Sequence, residues 1–310
     1  MPQRKKGEGM KTKKDRSRNL LCLGIAVMIS GIFFVFALAE EIKPGEGTVS
    51  FIDMETEEAE TPASTDTPAD ETDDITGNEP FAPEELLGDD LTDNLETTII
   101  GKDDRVKVKN PKKYPYSAIC RFDGKYNCGC TWEGTGFMIS RNTLLTAAHC
   151  LVCQKHNQWA YALTFYFGFN NYSDYLYCYN SSWNAYVYTF FPNGYTDLND
   201  WGYVKFNSNV GDTTGWFGLR PLSDEKISSG KYTFAGYRNG KLKKNKGKLR
   251  VKDSTRMWMD MDTKRGNSGG PVFDSDNYAV GLFTTYYDDA NSGIRVTKQM
   301  ISELEKAGAF

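Results

Sequence analysis

Residues 266–271 read Gly-Asn-Ser-Gly-Gly-Pro, and the fold of this chain is inferred most directly from this stretch. Ser268 stands between glycines, which allow the backbone to turn sharply and to aim its peptide N–H groups at one place. Residues 146–150 read Thr-Ala-Ala-His-Cys after an apolar run, and residues 200–206 read Asp-Trp-Gly-Tyr-Val-Lys-Phe. The three motifs therefore supply a serine, a histidine and an aspartate.

These three residue types suit nucleophilic catalysis. A serine hydroxyl is a weak nucleophile near neutral pH, so it needs a base within hydrogen-bond reach and a third group that orients the base. We predict that His149 is the base, Asp200 the orienting carboxylate and Ser268 the nucleophile. The N–H groups of Gly266 and Ser268 are predicted to form an oxyanion hole, in which each donor is worth about 3–4 kcal/mol. Asp197 is a rival to Asp200, but only Asp200 directly precedes a strand-like apolar run.

The order of these residues along the chain separates the classes of serine hydrolase. An α/β-hydrolase carries its histidine after its serine, whereas both histidines here, His149 and His156, precede Ser268. The last cysteine is Cys178, so a cysteine nucleophile downstream of the histidine-aspartate pair is also excluded. The order His, Asp, Ser is that of chymotrypsin.

Residues 98–310 have the pattern of an all-β domain. Short β-branched or aromatic runs recur between Gly, Asn and Asp residues, which is typical of barrels and sandwiches. Near the end of the chain, Val296, Met300, Ile301 and Leu304 follow helical spacing and predict an amphipathic C-terminal helix. The predicted strands lie at residues 116–122, 136–140, 144–148, 203–206, 232–236, 257–262, 271–273 and 279–283.

The motifs around His149 and Ser268 together resemble the chymotrypsin superfamily of serine peptidases. The sequence is more specifically similar to the glutamyl endopeptidases secreted by Gram-positive bacteria, the V8-protease-like branch. The resemblance covers residues 98–310 in patches. It implies a double six-stranded antiparallel β-barrel with the site in the cleft between the barrels, and a precursor of the zymogen kind. The matching segments are residues 98–105, 114–119, 136–139, 200–202, 236–237 and 261–263.

The resemblance also implies which residues bind substrate. Asp262 and Thr263 correspond to pocket positions, and Thr98 is the implied N-terminus of the mature enzyme. Phe283, followed by Thr284, stands where the glutamyl branch has a histidine that binds an acidic substrate side chain. Because a buried acidic group without a paired charge is costly, we predict weaker cleavage after Glu than in that branch. Whether Asp262 selects basic or acidic side chains stays open.

The net charge of −4 averages four unlike segments. Residues 1–19 carry a net +6, residues 20–39 no charge, residues 40–97 a net −19, and residues 98–310 a net +9. Twenty uncharged residues can span a bilayer, and the basic flank places the N-terminus in the cytoplasm. Residues 20–39 are therefore predicted to be a membrane anchor or a signal peptide, with an Ala-x-Ala site at residues 37–39. The domain is expected outside the cell, secreted or anchored.

The acidic residues 40–97 are predicted to be disordered, since they cannot bury enough apolar surface to offset chain entropy. They form either a stalk or a pro-segment that is removed by cleavage, and the apolar pairs at residues 81–82 and 86–87 are candidates for local docking. Residues 238–256 hold nine basic residues and one acidic residue. We expect this stretch to attract the acidic segment, with a solvated loop as the alternative, and predict no nucleic-acid partner.

Six cysteines lie outside the apolar N-terminal run, and an even number outside the cell suggests up to three disulfides. In the family that the chain resembles, the partner of Cys150 would stand at position 134, which is glycine here. Cys128 and Cys130 are then its candidate partners. The pattern C-x-C followed by C-x-x-C also suits zinc, but disulfides are favoured and no metal or cofactor is predicted. His156 is predicted to be a surface-loop residue. The six are Cys120, Cys128, Cys130, Cys150, Cys153 and Cys178.

The predicted function is that of an exported serine endopeptidase that cleaves protein or peptide substrates through an acyl-enzyme. One alternative is a catalytically silent homologue that serves as an extracellular binding module. Another is a quality-control protease of the HtrA kind. That class usually has a C-terminal peptide-binding domain, whereas only about forty residues follow Ser268 here.

Overall fold

Strands form where aromatic and β-branched residues are bounded by turn residues, and this pattern runs through most of the described chain. The structure is a computed structural model, and it describes residues 47–52, 77–83, 103–153, 155–188, 199–286 and 290–310. These residues form eighteen strands and three short helices.

The strands of the first half are, in chain order, β1 (Gly47–Ile52), β2 (Val106–Lys107), β3 (Ile119–Tyr126), β4 (Thr131–Met138), β5 (Thr143–Thr146), β6 (Val152–Cys153), β7 (Gln158–Phe167), β8 (Tyr177–Tyr179), β9 (Trp183–Tyr188) and β10 (Gly202–Phe206). The second half contains α1 (Gly211–Thr214), β11 (Gly218–Leu219), α2 (Asp224–Ser229), β12 (Tyr232–Arg238), β13 (Lys241–Gly247), β14 (Leu249–Val251), β15 (Arg256–Met259), β16 (Pro271–Phe273), β17 (Tyr278–Tyr286), β18 (Asn291–Arg295) and α3 (Lys298–Lys306).

The strands make two curled, mainly antiparallel half-barrels. The first sheet has the order β1-β9-β10-β5-β4-β3-β7-β6, with β8 on β7. The second has the order β14-β15-β18-β17-β16-β12-β13-β2, with β11 on β17. This architecture confirms the predicted chymotrypsin-like double barrel. Each sheet holds nine strands in place of the expected six, because short pieces such as β2 and β6 extend its edges.

Each sheet encloses an apolar core on its concave side. In the first, the ring of Phe165 lies 5.3 Å from that of Phe122 and 4.9 Å from that of Phe206. In the second, Phe234 packs edge-to-face on Phe283 at 5.7 Å. Aromatic pairs in this geometry add to the stability given by the buried area itself.

The C-terminal helix is confirmed as α3. Its buried face consists of Met300, Ile301 and Leu304, as the helical spacing predicts. The hydroxyl of Thr297 caps the helix, accepting the Met300 N–H at 3.1 Å. The helix therefore closes the chain against the first core, to which all three apolar side chains belong.

One predicted strand begins too early. Residues 116–118 form a 3-10 turn, and β3 starts only at Ile119. The N–H of Ser117 donates to the Lys113 carbonyl at 2.9 Å, and that of Ala118 to the Pro115 carbonyl at 3.2 Å. These local hydrogen bonds replace the cross-strand bonds of a ladder.

Two pieces of the acidic segment, residues 47–52 and 77–83, lie within the described residues, while the prediction of disorder for residues 40–97 as a whole stays a prediction. Strand β1 pairs in parallel with β9. In residues 77–83, Phe81 stacks on Trp216 with ring centroids 4.3 Å apart, and the two residues exchange backbone hydrogen bonds of 2.9 Å. Docking at residues 81–82 is thus observed, while residues 86–87 lie outside the described residues.

The basic stretch 238–256 is part of the second sheet, where it forms all of β13 and all of β14. Lys244 is 8% exposed, and its ammonium donates to the Tyr116 hydroxyl at 2.7 Å. The alternative of a solvated loop is therefore wrong. Contacts of the acidic segment that the structure describes include those to Trp216, Ile139, Tyr278 and strand β9.

Within the described ranges, no helix is long and apolar enough to cross a membrane. The predicted anchor or signal peptide at residues 20–39 lies outside the described residues.

Candidate active site

Strand pairing brings His149 and Asp200 together. His149 lies in a single 3-10 turn, Ala148–Cys150, that follows β5. Asp200 directly precedes β10, and β10 pairs with β5 so that Gly202 lies opposite Thr146. The residues just beyond these ends therefore meet at one edge of the first sheet.

The side chain of Asp200 is fully buried and holds His149 at two atoms. Its Oδ2 lies 2.6 Å from the Nδ1 of His149, and its Oδ1 accepts the His149 backbone N–H at 2.9 Å. An ionised carboxylate only accepts hydrogen bonds, so Nδ1 carries the proton. The other ring nitrogen, Nε2, is then left as an acceptor, which is the form that a general base requires.

Burial of the imidazole is the largest single effect and lowers its pKa, but the adjacent Asp200 carboxylate and the Cys150 side chain together raise the pKa by more. The pKa of His149 therefore lies well above its ordinary value of 6.5. The Cys150 side chain adds to this rise. A raised pKa makes the imidazole a stronger base, and this favours transfer of the nucleophile's hydroxyl proton to the ring.

The loop that carries Ser268 packs directly on the segment that carries His149. The Sγ of Cys150, the residue after His149, lies 3.7 Å from the Ser268 carbonyl oxygen. That oxygen also accepts the Thr135 N–H at 2.9 Å. Gly269 has φ +84, and a Cβ there would lie 2.2 Å from the Thr146 Oγ1. Glycine is therefore required for the two sheets to approach this closely beside Ser268.

The loop before Ser268, the predicted anion cradle, has a backbone conformation that favours glycine. Gly266 has φ +96, a conformation that other residues adopt only with strain. Its carbonyl oxygen accepts the Thr135 hydroxyl at 2.8 Å and is thereby held away from the loop's N–H side. Within the described part of the chain, the N–H groups of Gly266 and Ser268 have no protein acceptor. Both donors are thus available to an external oxygen.

Sequence reasoning missed residues that position this loop. The hydroxyl of Thr135, on β4, bonds the Gly266 carbonyl and also accepts the Tyr237 N–H at 2.9 Å. Asn267 accepts from Arg105 at 3.0 Å, and Arg105 is only 7% exposed. Asn267 stands inside the quoted motif, but the partners come from distant strands, so no local pattern signals them.

Two predicted pocket residues lie on the strand-to-loop connection before the cradle. Asp262 is half-buried, and its Oδ2 accepts the Asp104 N–H at 3.0 Å. Burial raises the pKa of Asp262, and the nearby Asp104 carboxyl adds to the rise while its N–H opposes it. Thr263 donates its hydroxyl to the Asn291 side-chain oxygen at 2.6 Å.

The other predicted pocket residues lie on β17 or outside the described residues. Phe283 is 1% exposed, and its side chain packs in the second core, while its backbone exchanges hydrogen bonds with Gly269 and Gly270. Thr284 is buried, with its hydroxyl 3.5 Å from the Ser292 carbonyl. Thr98 and the rival aspartate Asp197 lie outside the described residues.

A cleft of about 580 Å³ opens beside His149 and Gly266. Trp132 forms part of its wall, with its ring edge-on to His149 at 6.4 Å, and the Arg265 guanidinium lies 4.8 Å from the Trp132 ring centre. Lys155 and Arg238 also line the cleft. The cleft therefore offers an apolar wall with positive charge at its rim.

The six cysteines of the described residues are all free thiols in this structure. Cys150 is buried against the Ser268 loop, and the structure shows no bond from it to Cys128 or Cys130. Cys128, Cys130 and Cys153 instead gather around His156, which lies exposed in a turn, as predicted for a surface-loop residue.

Comparison with known proteins agrees with this geometry. A family model described as Trypsin matches residues 105–301. An extracellular metalloprotease of Bacillus subtilis is 29% identical over 235 residues, which are 70% of this chain and 72% of that protein. A glutamyl endopeptidase of Bacillus licheniformis is 28% identical over 225 residues, which are 67% of this chain and 68% of that protein. A solved Glu endopeptidase in complex with MPD superimposes with a TM-score of 0.61 at 23% identity, covering 69% of this chain and all of that one. The family match spans more than half of the sequence, and the chain therefore belongs to the trypsin family of serine peptidases, which are hydrolases.

Proposed function

We propose that the protein is an exported serine endopeptidase in which Ser268, His149 and Asp200 act as nucleophile, base and orienting group. The observation that carries the proposal is the buried Asp200–His149 pair, 2.6 Å apart, beside a loop that presents Ser268 and two unpaired N–H groups. Family membership supports proteolysis as the reaction class.

In the proposed mechanism, His149 Nε2 takes the proton of the Ser268 hydroxyl while Oγ attacks the substrate carbonyl carbon. The carbonyl oxygen gains negative charge, which the N–H groups of Gly266 and Ser268 stabilise. The tetrahedral intermediate collapses as the histidine gives its proton to the leaving amine, leaving an ester on Ser268. Water then attacks this ester with the same histidine as base, which releases the acid product and restores the serine. Asp200 stays ionised and stabilises the imidazolium throughout.

The substrates are proteins or peptides, and the primary specificity is proposed to differ from strict Glu selection. Phe283 stands where the glutamyl branch has a histidine, and its buried side chain brings no charge there. Asp262 places a carboxyl group on the connection between β15 and the loop that carries Ser268. Thr263 and Thr284 are proposed to complete the pocket, and Thr98 to become the N-terminus after maturation.

Export is proposed from the charge pattern of residues 1–39 and is supported by the similarity to an extracellular metalloprotease of Bacillus subtilis. The acidic segment is proposed to act as a pro-segment. The segment contacts the domain through Phe81, which stacks on Trp216, and through Asn78, whose side-chain amide donates to the Ile139 carbonyl at 3.1 Å. These contacts would have to break for the segment to leave after cleavage.

Labelling with an active-site fluorophosphonate tests the proposed function. The wild-type chain should label at Ser268, and Ser268→Ala should abolish both labelling and peptide hydrolysis. Ser275→Ala, on an exposed loop, is the matched control and should label normally. A folded wild-type protein that neither labels nor cleaves any member of a peptide library would favour the silent binding module.

A further inference from the structure

Four side chains with metal-binding atoms converge at one end of the first sheet. They are Cys128, Cys130, Cys153 and His156, and their ligand atoms all lie within 4.8 Å of one another. The three cysteines are half-buried and the histidine is exposed. This group lies outside the proposed catalytic residues.

The sheet topology explains why these residues meet. Cys128 and Cys130 lie on the turn between β3 and β4, with Gly129 between them at φ +80. Cys153 ends β6, and His156 follows in the turn to β7. Because β3 pairs with β7, the two hairpin turns lie side by side. Hydrogen bonds from Asn127 N–H to Trp159 and from His156 N–H to Cys153, of 3.2 and 3.3 Å, hold both turns in place.

The distances fit a tetrahedral metal. The Nδ1 of His156 lies 3.4 Å from the Sγ of Cys130 and 3.6 Å from that of Cys153. With Zn–S bonds of about 2.3 Å and a Zn–N bond of about 2.0–2.1 Å, a tetrahedral site places sulfur and nitrogen about 3.6 Å apart. The same geometry places two sulfur atoms about 3.8 Å apart, within the spread of this cluster.

The composition of the cluster favours a metal over disulfides. Three thiols and an imidazole cannot be satisfied by one disulfide, which would leave one thiol and the histidine over. Cys150, which would make the number of thiols even, points instead at the Ser268 carbonyl. Three thiolates and one imidazole are a ligand set that selects zinc among common divalent ions.

We propose that Cys128, Cys130, Cys153 and His156 bind one structural Zn²⁺. Binding releases three thiol protons to solvent, and the resulting thiolates and the neutral imidazole fill all four positions. A site closed by four protein ligands has no open position for substrate or water, so its role is structural.

The zinc would act on the same cleft that the proposed function uses. Cys130 and Cys153 line the cleft together with His149. Cys153 lies four residues after His149, and Cys130 two residues before Trp132, whose ring contacts His149. The metal would therefore fix both walls next to the base. Zinc binding itself does not depend on the triad assignment, so the two proposals can fail separately.

The first experiment measures metal content. The full-length chain, purified from an exporting bacterial host without added metal or reductant, should contain one zinc per chain by mass spectrometry of the elements. His156→Ala and Cys128→Ser should each lower zinc content at least tenfold at low free zinc. Cys178→Ser, a half-buried cysteine outside the cluster, is the matched control and should keep one zinc.

A second measurement covers variants that fail to fold. Co²⁺ exchanged into the wild-type chain should give thiolate charge-transfer absorption and the visible bands of a tetrahedral ion, and His156→Cys should retain metal with a shifted spectrum. Zinc removal by a chelator should lower Tm by about 10 °C or more, because structural zinc contributes directly to folding. Ser268→Ala should still bind zinc. Peptide mapping that finds a disulfide among Cys128, Cys130 and Cys153, or folded wild-type protein without stoichiometric zinc, would overturn the proposal.

Discussion

Asp200 bonds both the ring and the backbone of His149, with its Oδ2 2.6 Å from Nδ1 and its Oδ1 2.9 Å from the N–H. One buried carboxylate thus fixes the tautomer of the ring and the position of the turn that carries it. The pair lies at the end of the β5–β10 ladder, so the backbone pairing of these two strands sets its geometry.

Replacement of Asp200 by Asn should abolish most activity with little loss of fold. The amide can keep the hydrogen bond to the His149 N–H but favours the wrong ring tautomer. We expect kcat to fall by about 10⁴-fold, a loss that accompanies the wrong tautomer in a triad. Asp212→Asn is the control, since Asp212 forms an exposed ion pair with Arg141 at 2.7 Å. Equal kinetics for Asp200→Asn and wild type would contradict the assigned role.

The activity should be lost on the acid side at a higher pH than for an ordinary histidine. His149 must be neutral to accept the serine proton, and its pKa is raised above 6.5. The imidazolium therefore persists to higher pH, and kcat/KM should fall as pH drops through that raised pKa. By linkage, the His149–Asp200 pair contributes stability that is fully present below pH 6.5 and is lost as pH rises through the raised value. The pH profile of kcat/KM measures the first effect, and an acid limb below pH 6 would refute it.

Gly266→Ala should impair catalysis far more than stability. The alanine must adopt φ +96, and its Cβ would lie 3.2 Å from the Tyr237 carbonyl oxygen. The strain costs about 1–2 kcal/mol, and reorientation of the N–H should lower kcat by about 10²–10³-fold. Gly308→Ala is the control, because Gly308 has φ +61, a Cβ there would make only an ordinary contact of 3.7 Å with the Lys205 Nζ, and the residue lies far along the chain from the cradle. If the two variants lose activity equally, strain alone explains the effect.

The sequence was sufficient for the motifs and the barrel class because both depend on local patterns. Residues 146–150 and 266–271 carry their chemistry in short runs, and the strands follow alternation between turn residues. The gathering of cysteines around His156 was missed because two of them, Cys128 and Cys130, come from another hairpin, 26 residues away in the case of Cys130. The docking of Phe81 depends on Trp216, far along the chain. Such contacts follow from strand pairing, which a single sequence does not specify.

Thr135→Val should destabilise the junction of the two sheets and loosen the cradle. The buried hydroxyl donates to the Gly266 carbonyl at 2.8 Å and accepts the Tyr237 N–H at 2.9 Å. Valine has the same shape but leaves both backbone groups unpaired, which we expect to cost about 2–4 kcal/mol. Chemical denaturation measures this cost, and kcat should fall more than KM rises. Thr135→Ser keeps the hydroxyl and should restore most of both properties, whereas a purely steric role would leave serine as impaired as valine.

The last prediction concerns the charge at the substrate pocket. If Asp262 lines the pocket as proposed, its carboxylate repels an acidic substrate side chain, and Phe283 supplies no compensating positive charge. A peptide library should therefore show no exclusive cleavage after Glu. Because the pKa of Asp262 is raised by its burial, the carboxyl is neutralised at a less acidic pH than usual, and relative cleavage after Glu should increase as pH falls through that value.

Asp262→Asn isolates this effect. The amide oxygen can still accept the Asp104 N–H, so the connection should stay in place while its charge is removed. We expect kcat/KM for Glu substrates to rise about tenfold relative to neutral ones, which corresponds to about 1.4 kcal/mol. Asp260→Asn, on an exposed side chain two residues earlier, should leave the ratio unchanged. If the ratio of kcat/KM for Glu substrates to that for neutral ones is the same in Asp262→Asn and wild type, the Asp262 carboxyl lies outside the substrate pocket. A charge in contact with the substrate side chain cannot be removed without altering this preference.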